Sequence, residues 1–339
     1  MNDKKIRVAI NGFGRIGRSA FRIILEKYKN IEVVAINDLT DSKILAHLLK
    51  YDSVYGQFNR EISRRDERII VDGKTFGVLS ETDPGNLPWE KLEVDVVLEC
   101  TGAFRKIEEV SRHISAGAKK VIISAPSKSD KVGVYVIGVN DQEIPRDIQV
   151  ISNASCTTNC IAPIMKILED SFGVEKALMT TVHSYTADQN LVDGPHKSGD
   201  LRRARGAAMN MVPTTTGAAL TTARTIPAIE GKFDGLAIRV PTAVGSLSDI
   251  TVVLKKDVDV KTINETLTDA SKSKSMKNIL AVTENQIVSS DIIGDSHSAI
   301  VDLSLTKVVG NNLVKIIAWY DNEWGYSNRL VELIEKMMS

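Results

Sequence analysis

Cys156 is the residue whose surroundings best suit covalent chemistry. It stands in ISNASCTTNC, after a strand-like run and before IAPIMKILED, so the pattern predicts a helix that starts at or just before it. Unpaired N–H groups and the dipole at a helix start favour a thiolate, lowering a pKa that is about 8.5 in a free cysteine. A lone cysteine is more often a small buried hydrophobe. Here Ser155, Thr157, Thr158 and Asn159 surround it with polar groups, which argues against an apolar burial site. His183, in the strand-like LMTTVHSYT, is the candidate to pair with the thiol and to carry protons. Cys160 lies four residues on, at a spacing that is neither C-x-x-C nor a usual zinc array. Cys160 and Cys100 are therefore expected to be structural, as are His47, His113, His196 and His297, and no metal site is expected.

A second constellation lies at the N-terminal end. Gly12, Gly14 and Gly17 form G-x-G-x-x-G in VAINGFGRIGR, directly after a strand pattern and directly before a helix pattern. Such glycines allow a tight turn, a close approach of backbone to a pyrophosphate and close helix packing. The bare motif is weak and would also fit a glycine-rich turn beside a solvated acid. Its context strengthens it: Asp38 follows Gly17 by 21 residues, at the end of a second strand, where a carboxylate accepts hydrogen bonds from ribose hydroxyls. A carboxylate there repels a 2′-phosphate, so NAD is the expected cofactor rather than NADP.

The elements that must hold these residues follow from periodicity. Lys5 to Ile10, Arg15 to Lys29 and Ile31 to Ile36 read as strand, amphipathic helix and strand. RIIVDGKTFGVL reads as a hairpin on a type I′ turn at Asp72-Gly73. VDVVLEC, a helix over Ile107 to Ala116, AKKVIIS and IQVISNAS then restore the alternation of a doubly wound parallel sheet. Beyond Ser155 the texture changes, because DITVVLKK and LVKIIAWYD alternate as half-buried strands of an antiparallel or mixed sheet do. The expected class is α/β: a Rossmann-type doubly wound NAD-binding domain over 1–155 and an α+β catalytic domain with a mostly antiparallel or mixed sheet over 156–321. A C-terminal helix, about 322–339, is expected to pack back on the first. Thr186 to Arg205 is polar and too long for an ordinary connection, which marks it as a functional loop.

Composition narrows the partners. Lysine plus arginine equals aspartate plus glutamate at 43 each, so no long-range field gathers polyanions, and nucleic acid is not expected as a primary partner. The apolar runs, such as Val94 to Leu98, fall far short of the roughly 20 residues that span a bilayer, so no membrane is expected. MNDKKIRVAI enters a strand pattern without the apolar core and cleavage site of a signal peptide, and three cysteines make no disulfide framework. The expectation is a cytoplasmic enzyme.

ASCTTNC, with NGFGRIGR before it and HSYTADQ, RRARGAA, PTTTGAA, RVPT and WYDNEWGY after it, resembles phosphorylating glyceraldehyde-3-phosphate dehydrogenase over essentially the whole chain. The resemblance implies an NAD-dependent oxidation of glyceraldehyde 3-phosphate in glycolysis and gluconeogenesis. Cys156 would form a hemithioacetal and then a thioester, His183 would move the protons, and inorganic phosphate would release 1,3-bisphosphoglycerate. It implies a first anion site from Thr186, Asp188, Arg203 and Arg239, and a second from Ser155, Thr157, Thr216 and Gly217. Toward the cofactor it assigns Arg15 and Ile16 beside the glycines, Asp38 at the adenosine ribose, and Thr101 and Ser124 in the cleft. Asn322 would meet the carboxamide, with Tyr326 near the ring. It implies a homotetramer. Within this chemistry the nearest alternative is erythrose-4-phosphate dehydrogenase, and HSYTADQ and PTTTGAA fit the triose enzyme better. The chain departs from the family's pattern at Thr82, at Ala103 and in DGPHKSGDLRRAR, which carries extra residues before Asp200.

Overall fold

The computed structural model describes residues 5–339; the start of the charged N-terminal lead, 1–4, lies outside them. The chain divides into two compact units, one of residues 1–135, 141–154 and 327–339, the other of 136–140 and 155–326.

The first unit opens with β1 (Ile6–Asn11), α1 (Arg15–Lys27) and β2 (Ile31–Asn37). It continues through α2 (Ser42–Lys50), β3 (Ile62–Arg64), β4 (Arg68–Val71), β5 (Lys74–Leu79) and β6 (Val96–Glu99). Then come α3 (Ile107–Ser115), β7 (Lys120–Ile123), β8 (Gly133–Val134) and β9 (Val150–Ser152). The nine strands form one sheet in the order β3-β4-β5-β2-β1-β6-β7-β9-β8. All neighbours pair in parallel except β3 with β4 and β4 with β5. The central strands are apolar on both faces, as a parallel sheet covered on both sides requires: every residue of β6 is buried, as are Val8 to Asn11 of β1. Asp72 (φ 48°) and Gly73 (φ 78°) make the expected hairpin turn, with positive φ at both central positions. Beneath the β1–α1 turn, Phe13 and Phe76 each meet Phe21 edge to face, at centroid distances of 5.4 and 4.9 Å.

The second unit begins with α4 (Cys156–Phe172), β10 (Val174–Ser184), β11 (Val212–Thr215) and α5 (Ala218–Thr225). β12 (Phe233–Val240), β13 (Ser246–Leu254), α6 (Val260–Lys272), β14 (Leu280–Thr283) and β15 (Ala299–Asp302) follow, then β16 (Lys307–Val309) and β17 (Leu313–Tyr320). The sheet runs β11-β12-β10-β13-β17-β15-β14, with β16 on β17. It is mixed: β10 pairs with β12 and β14 with β15 in parallel, and the other pairs are antiparallel. Burial alternates strictly along β13, the mark of a strand with one covered face. One register matters most for chemistry: in the β10–β12 pair, His183 stands opposite Arg239.

The last helix, α7 (Trp324–Met338), contributes to the first unit from Ser327 onward. Lys27 donates to Asn328 (2.9 Å), Lys120 to the Met337 carbonyl (2.6 Å), and Lys336 pairs with Asp141 (2.7 Å). Leu330, Leu333, Ile334 and Met337 supply its buried stripe.

Candidate active site

Cys156 is the first residue of α4. Ser155 caps the helix, its hydroxyl accepting from the Thr158 N–H at 3.0 Å, and Ala154 before it takes a positive φ of 55°. That turn presents the thiol to the end of β10, where His183 Nε2 lies 3.4 Å from Cys156 Sγ. His183 Nδ1 is 2.7 Å from the Ser184 carbonyl. A carbonyl only accepts, so Nδ1 carries the proton and Nε2 is the free acceptor facing the sulfur. Burial, then the positive charge of Arg239, lowers the His183 pKa to about 3, which keeps the ring neutral.

The expected lowering of the thiol pKa is not what the structure shows. Burial is the largest influence and pushes Cys156 up, while Arg239 and hydrogen bonds from Thr157 pull it only part of the way back. The helix start was legible in the sequence, but the density of packing around the sulfur was not.

Arg239 reaches the same place from β12. Its Nη1 donates to Thr186 Oγ1 at 2.8 Å and to the Ser184 carbonyl at 3.1 Å. Its Nε is buried and has no hydrogen-bond partner among the described residues, while the charge of Asp188 acts on the guanidinium without a hydrogen bond to that nitrogen. A guanidinium with an orphaned buried donor suits a phosphate oxygen. Thr186 Oγ1 in turn bonds Asp188. Arg203 donates to Asp188 (3.0 Å) and also to Thr214 Oγ1 (3.0 Å), so it links the residues grouped as the first anion site to β11, just before Thr216. Thr216 Oγ1 accepts from the Ala218 N–H at 3.2 Å, and Gly217 opens α5 with nothing within 4 Å of where a Cβ would stand. Thr157 is buried, its hydroxyl 2.9 Å from that of Tyr320. In this unit Asn322 accepts from the Gly245 N–H (3.1 Å) and the Ser246 hydroxyl (2.9 Å), which turns its NH2 group the other way, and Tyr326 is buried in α7.

On the first unit, Gly12 has φ 92°, and a Cβ there would stand 2.6 Å from the Thr101 nitrogen. A Cβ on Gly17 would stand 2.1 Å from the Gly12 carbonyl oxygen. Around Gly14, by contrast, nothing lies within 4 Å, and α1 starts there without a side-chain cap or an acidic residue in its first turn. Two glycines are thus filled by protein and one faces open space at a helix start, an arrangement that fits a pyrophosphate. Asp38 accepts from the Phe13 N–H (2.7 Å) and the Thr40 N–H (2.9 Å) at the end of β2. Ile16 lies half-buried in the first turn of α1, and Ser124 follows β7 with its hydroxyl on the Cys100 thiol, whose pKa burial pushes up to about 12.

Three features depend on contacts that sequence pattern does not show. Arg15 is held by Asp52 at 2.5 Å and sits over Tyr55. Tyr320 braces Thr157 and Thr181 (2.8 Å) from behind. A buried carboxylate, Glu99, ties the glycine turn together; its one signal was an acid closing the apolar run VDVVLE.

A doubly wound unit with an open glycine turn and a second unit with a cysteine–histidine pair define a dinucleotide-dependent thiol oxidoreductase. Comparison with known proteins gives the particular family. The model described as glyceraldehyde 3-phosphate dehydrogenase, NAD binding domain, matches residues 6–107, and that of the C-terminal domain matches 155–322. Glyceraldehyde-3-phosphate dehydrogenase of Streptomyces coelicolor is 54% identical over 97% of either chain. That of Borreliella burgdorferi is 52% identical over 98% of this chain and 100% of its own, and that of Clostridium pasteurianum 51% over 97% of each. The chain belongs to the glyceraldehyde-3-phosphate dehydrogenase family.

Proposed function

We propose that the chain oxidises glyceraldehyde 3-phosphate to 1,3-bisphosphoglycerate, using NAD and inorganic phosphate, in glycolysis and gluconeogenesis. The observation that carries this reading is the 3.4 Å contact of Cys156 Sγ with a His183 Nε2 whose other nitrogen is pinned to the Ser184 carbonyl. The Cys156 proton passes to His183 as sulfur adds to the aldehyde carbon, and returns to the new oxygen as a hemithioacetal forms. His183 then takes the hydroxyl proton while the carbon gives up its hydride, leaving a thioester on Cys156. Bound NAD supplies the hydride acceptor. A phosphate oxygen attacks the thioester, the C–S bond breaks, and the thiolate leaves with the acyl phosphate formed.

The anion-binding roles follow the chemistry of the donors. Arg239, Thr186 and Arg203 hold the substrate phosphate, Asp188 shapes the site by accepting from Thr186 and Arg203, and Ser155, Thr157, Thr216 and Gly217 hold the attacking phosphate. Gly12, Gly14, Arg15, Ile16 and Gly17 shape the pyrophosphate turn. Asp38 takes the ribose, Thr101 and Ser124 line the cleft, and Asn322 and Tyr326 serve the nicotinamide. Asp38 already accepts two backbone N–H groups, which keeps its carboxylate set against a 2′-phosphate.

We further propose a homotetramer working in the cytoplasm. Leu178, Met209, Met211 and Leu220 are 66% to 82% exposed on the second unit, apolar side chains that association between subunits would cover. All three cysteines are free thiols, as a reducing compartment maintains them. No helix among the described residues is long and apolar enough to cross a membrane.

The test is NADH formation from glyceraldehyde 3-phosphate with and without inorganic phosphate, repeated with NADP and with erythrose 4-phosphate. Phosphate-dependent turnover with NAD and the triose supports the whole scheme. Turnover indifferent to phosphate means that water resolves the thioester, and preference for erythrose 4-phosphate transfers the reading to that substrate.

A further inference from the structure

Glu99 closes β6 and is 1% exposed, yet it carries a carboxylate. Four donors converge on it. Asn11 Nδ2 (2.6 Å) and His113 Nε2 (3.0 Å) reach Oε2, and the Thr101 N–H (2.9 Å) and hydroxyl reach Oε1. The direction of these bonds is fixed from behind. The indole N–H of Trp89, which can only donate, lies 2.9 Å from His113 Nδ1, so that nitrogen accepts and Nε2 carries the proton toward Glu99. Asn11 cannot turn over either, because its Oδ1 accepts from Asn37 Nδ2 at 2.7 Å.

The two segments Glu99 grips are the two walls of the glycine turn. Asn11 immediately precedes Gly12, and the Thr101 nitrogen is the atom that a Cβ on Gly12 would strike at 2.6 Å. Both are held by one side chain. A carboxylate buried this deeply is costly, and an apolar residue would fill the end of β6 more cheaply. What the carboxylate adds is orientation: it draws the Thr101 N–H and hydroxyl inward and packs that backbone against Gly12. The Thr101 hydroxyl gives its proton to Glu99 and also accepts from the Ala103 N–H at 3.1 Å, so it is engaged within the protein both as donor and as acceptor.

We propose that Glu99, oriented by Trp89 and His113, is a positioning residue of the dinucleotide site, acting on the cofactor through Asn11 and Thr101 without touching it. The proposal rests on the reading of the glycine turn as the NAD site. Glu99→Gln keeps the shape but offers an NH2 group. In one orientation that group faces the Thr101 N–H, in the other His113 Nε2–H, and neither donor can turn away.

The experiment is calorimetric titration of NAD into the full-length protein, with iodoacetamide alkylation of Cys156 in the ligand-free protein as a parallel readout. E99Q is expected to raise the NAD Kd about tenfold, the scale of one spoiled charge-assisted bond. Alkylation should keep its rate and pH profile, and the kinetic defect should fall on the KM for NAD rather than on kcat. Thr101→Val should raise the Kd about threefold on its own and less than about twofold in the E99Q background, whereas Thr101→Ser, which keeps the hydroxyl, should restore tight binding. The Thr101 pair answers the question even if E99Q fails to fold. Equal NAD binding by wild type and E99Q, equal effects of valine and serine at Thr101, or full multiplication of the two costs would each overturn the proposal. Failure of the wild type itself to bind NAD would instead overturn the reading of the glycine turn.

Discussion

The glycine turn of the first unit and the thiol site of the second are prepared for their ligands in opposite ways. At the turn, shape does the preparing: Gly12 and Gly17 are filled by neighbouring backbone, Gly14 is left open, and the carboxylates of Asp38 and Glu99 already have their hydrogen bonds. At the thiol site, imbalance does it. Arg239 has a buried Nε with no hydrogen-bond partner among the described residues, its charge helps hold His183 neutral, and burial pushes the thiol pKa up. A pyrophosphate and two riboses need a fixed cradle. Covalent chemistry needs groups whose charge changes when the substrate arrives, and in the proposed scheme an anion completes part of that site's electrostatics.

The largest effect that tests this contrast is at Cys156. Cys156→Ser should lower turnover by roughly 10⁴-fold or more, because a hydroxyl is a far weaker nucleophile beside a neutral imidazole. NAD binding, measured by calorimetry, should stay within about twofold, since the glycine turn and Asp38 belong to the first unit and the substitution leaves Asn322 and Tyr326 in place. Loss of NAD affinity in that variant would break the comparison.

His183→Asn comes next, with turnover expected to fall by roughly 10²- to 10³-fold through loss of the proton carrier. It also carries a pH signature. With a folded-state pKa of about 3 against 6.5 for an unperturbed histidine, the unfolded chain binds one more proton than the folded one between those values. Stability from this group is therefore complete above about pH 6.5 and lost as the pH falls toward 3, by about 2 kcal/mol at pH 5. Thermal melting at pH 7 and pH 5 should show a smaller acid loss in the asparagine variant than in wild type. Equal losses would mean that the imidazole is not held neutral.

A smaller effect is expected at Arg239. Arg239→Gln should raise the KM for glyceraldehyde 3-phosphate by roughly 10- to 100-fold by removing the charge and the orphaned donor. Inorganic phosphate should raise the melting temperature of wild type more than that of the variant. If the two rise equally, the imbalance at the thiol site is not an anion-binding device.

How much of this could be read from the sequence follows the same divide. The glycine turn, Asp38 and the Asp72-Gly73 hairpin were legible because they depend on residue types at short, fixed spacings. The helix start at Cys156 was legible for the same reason. The opposition of His183 to Arg239 was not, since it depends on the register of β10 against β12, more than 50 residues apart in the chain. Neither was the Trp89–His113–Glu99 chain, where His113 read as an ordinary structural histidine and only the fold showed what it orients. The direction of the thiol pKa failed for a related reason. A helix terminus can be placed from local pattern, whereas desolvation is a property of everything packed around the sulfur.

The smallest expected effect belongs to Asp38, and it probes the cradle itself. Asp38→Ala removes the charge proposed to repel a 2′-phosphate, but it also removes the acceptor for the Phe13 and Thr40 N–H groups, and Phe13 lies between Gly12 and Gly14. The two losses act in opposite directions on NADP and in the same direction on NAD. The ratio of kcat/KM for NADP over NAD should therefore rise several-fold to about tenfold, with most of the change coming from weaker use of NAD. Asp38→Asn should retain acceptance from the Phe13 N–H and so lose less with NAD while relieving the same repulsion. A shift in the ratio that is equal in both variants would assign it to charge alone. A shift confined to alanine would show that Asp38 selects the cofactor chiefly by holding the turn in shape.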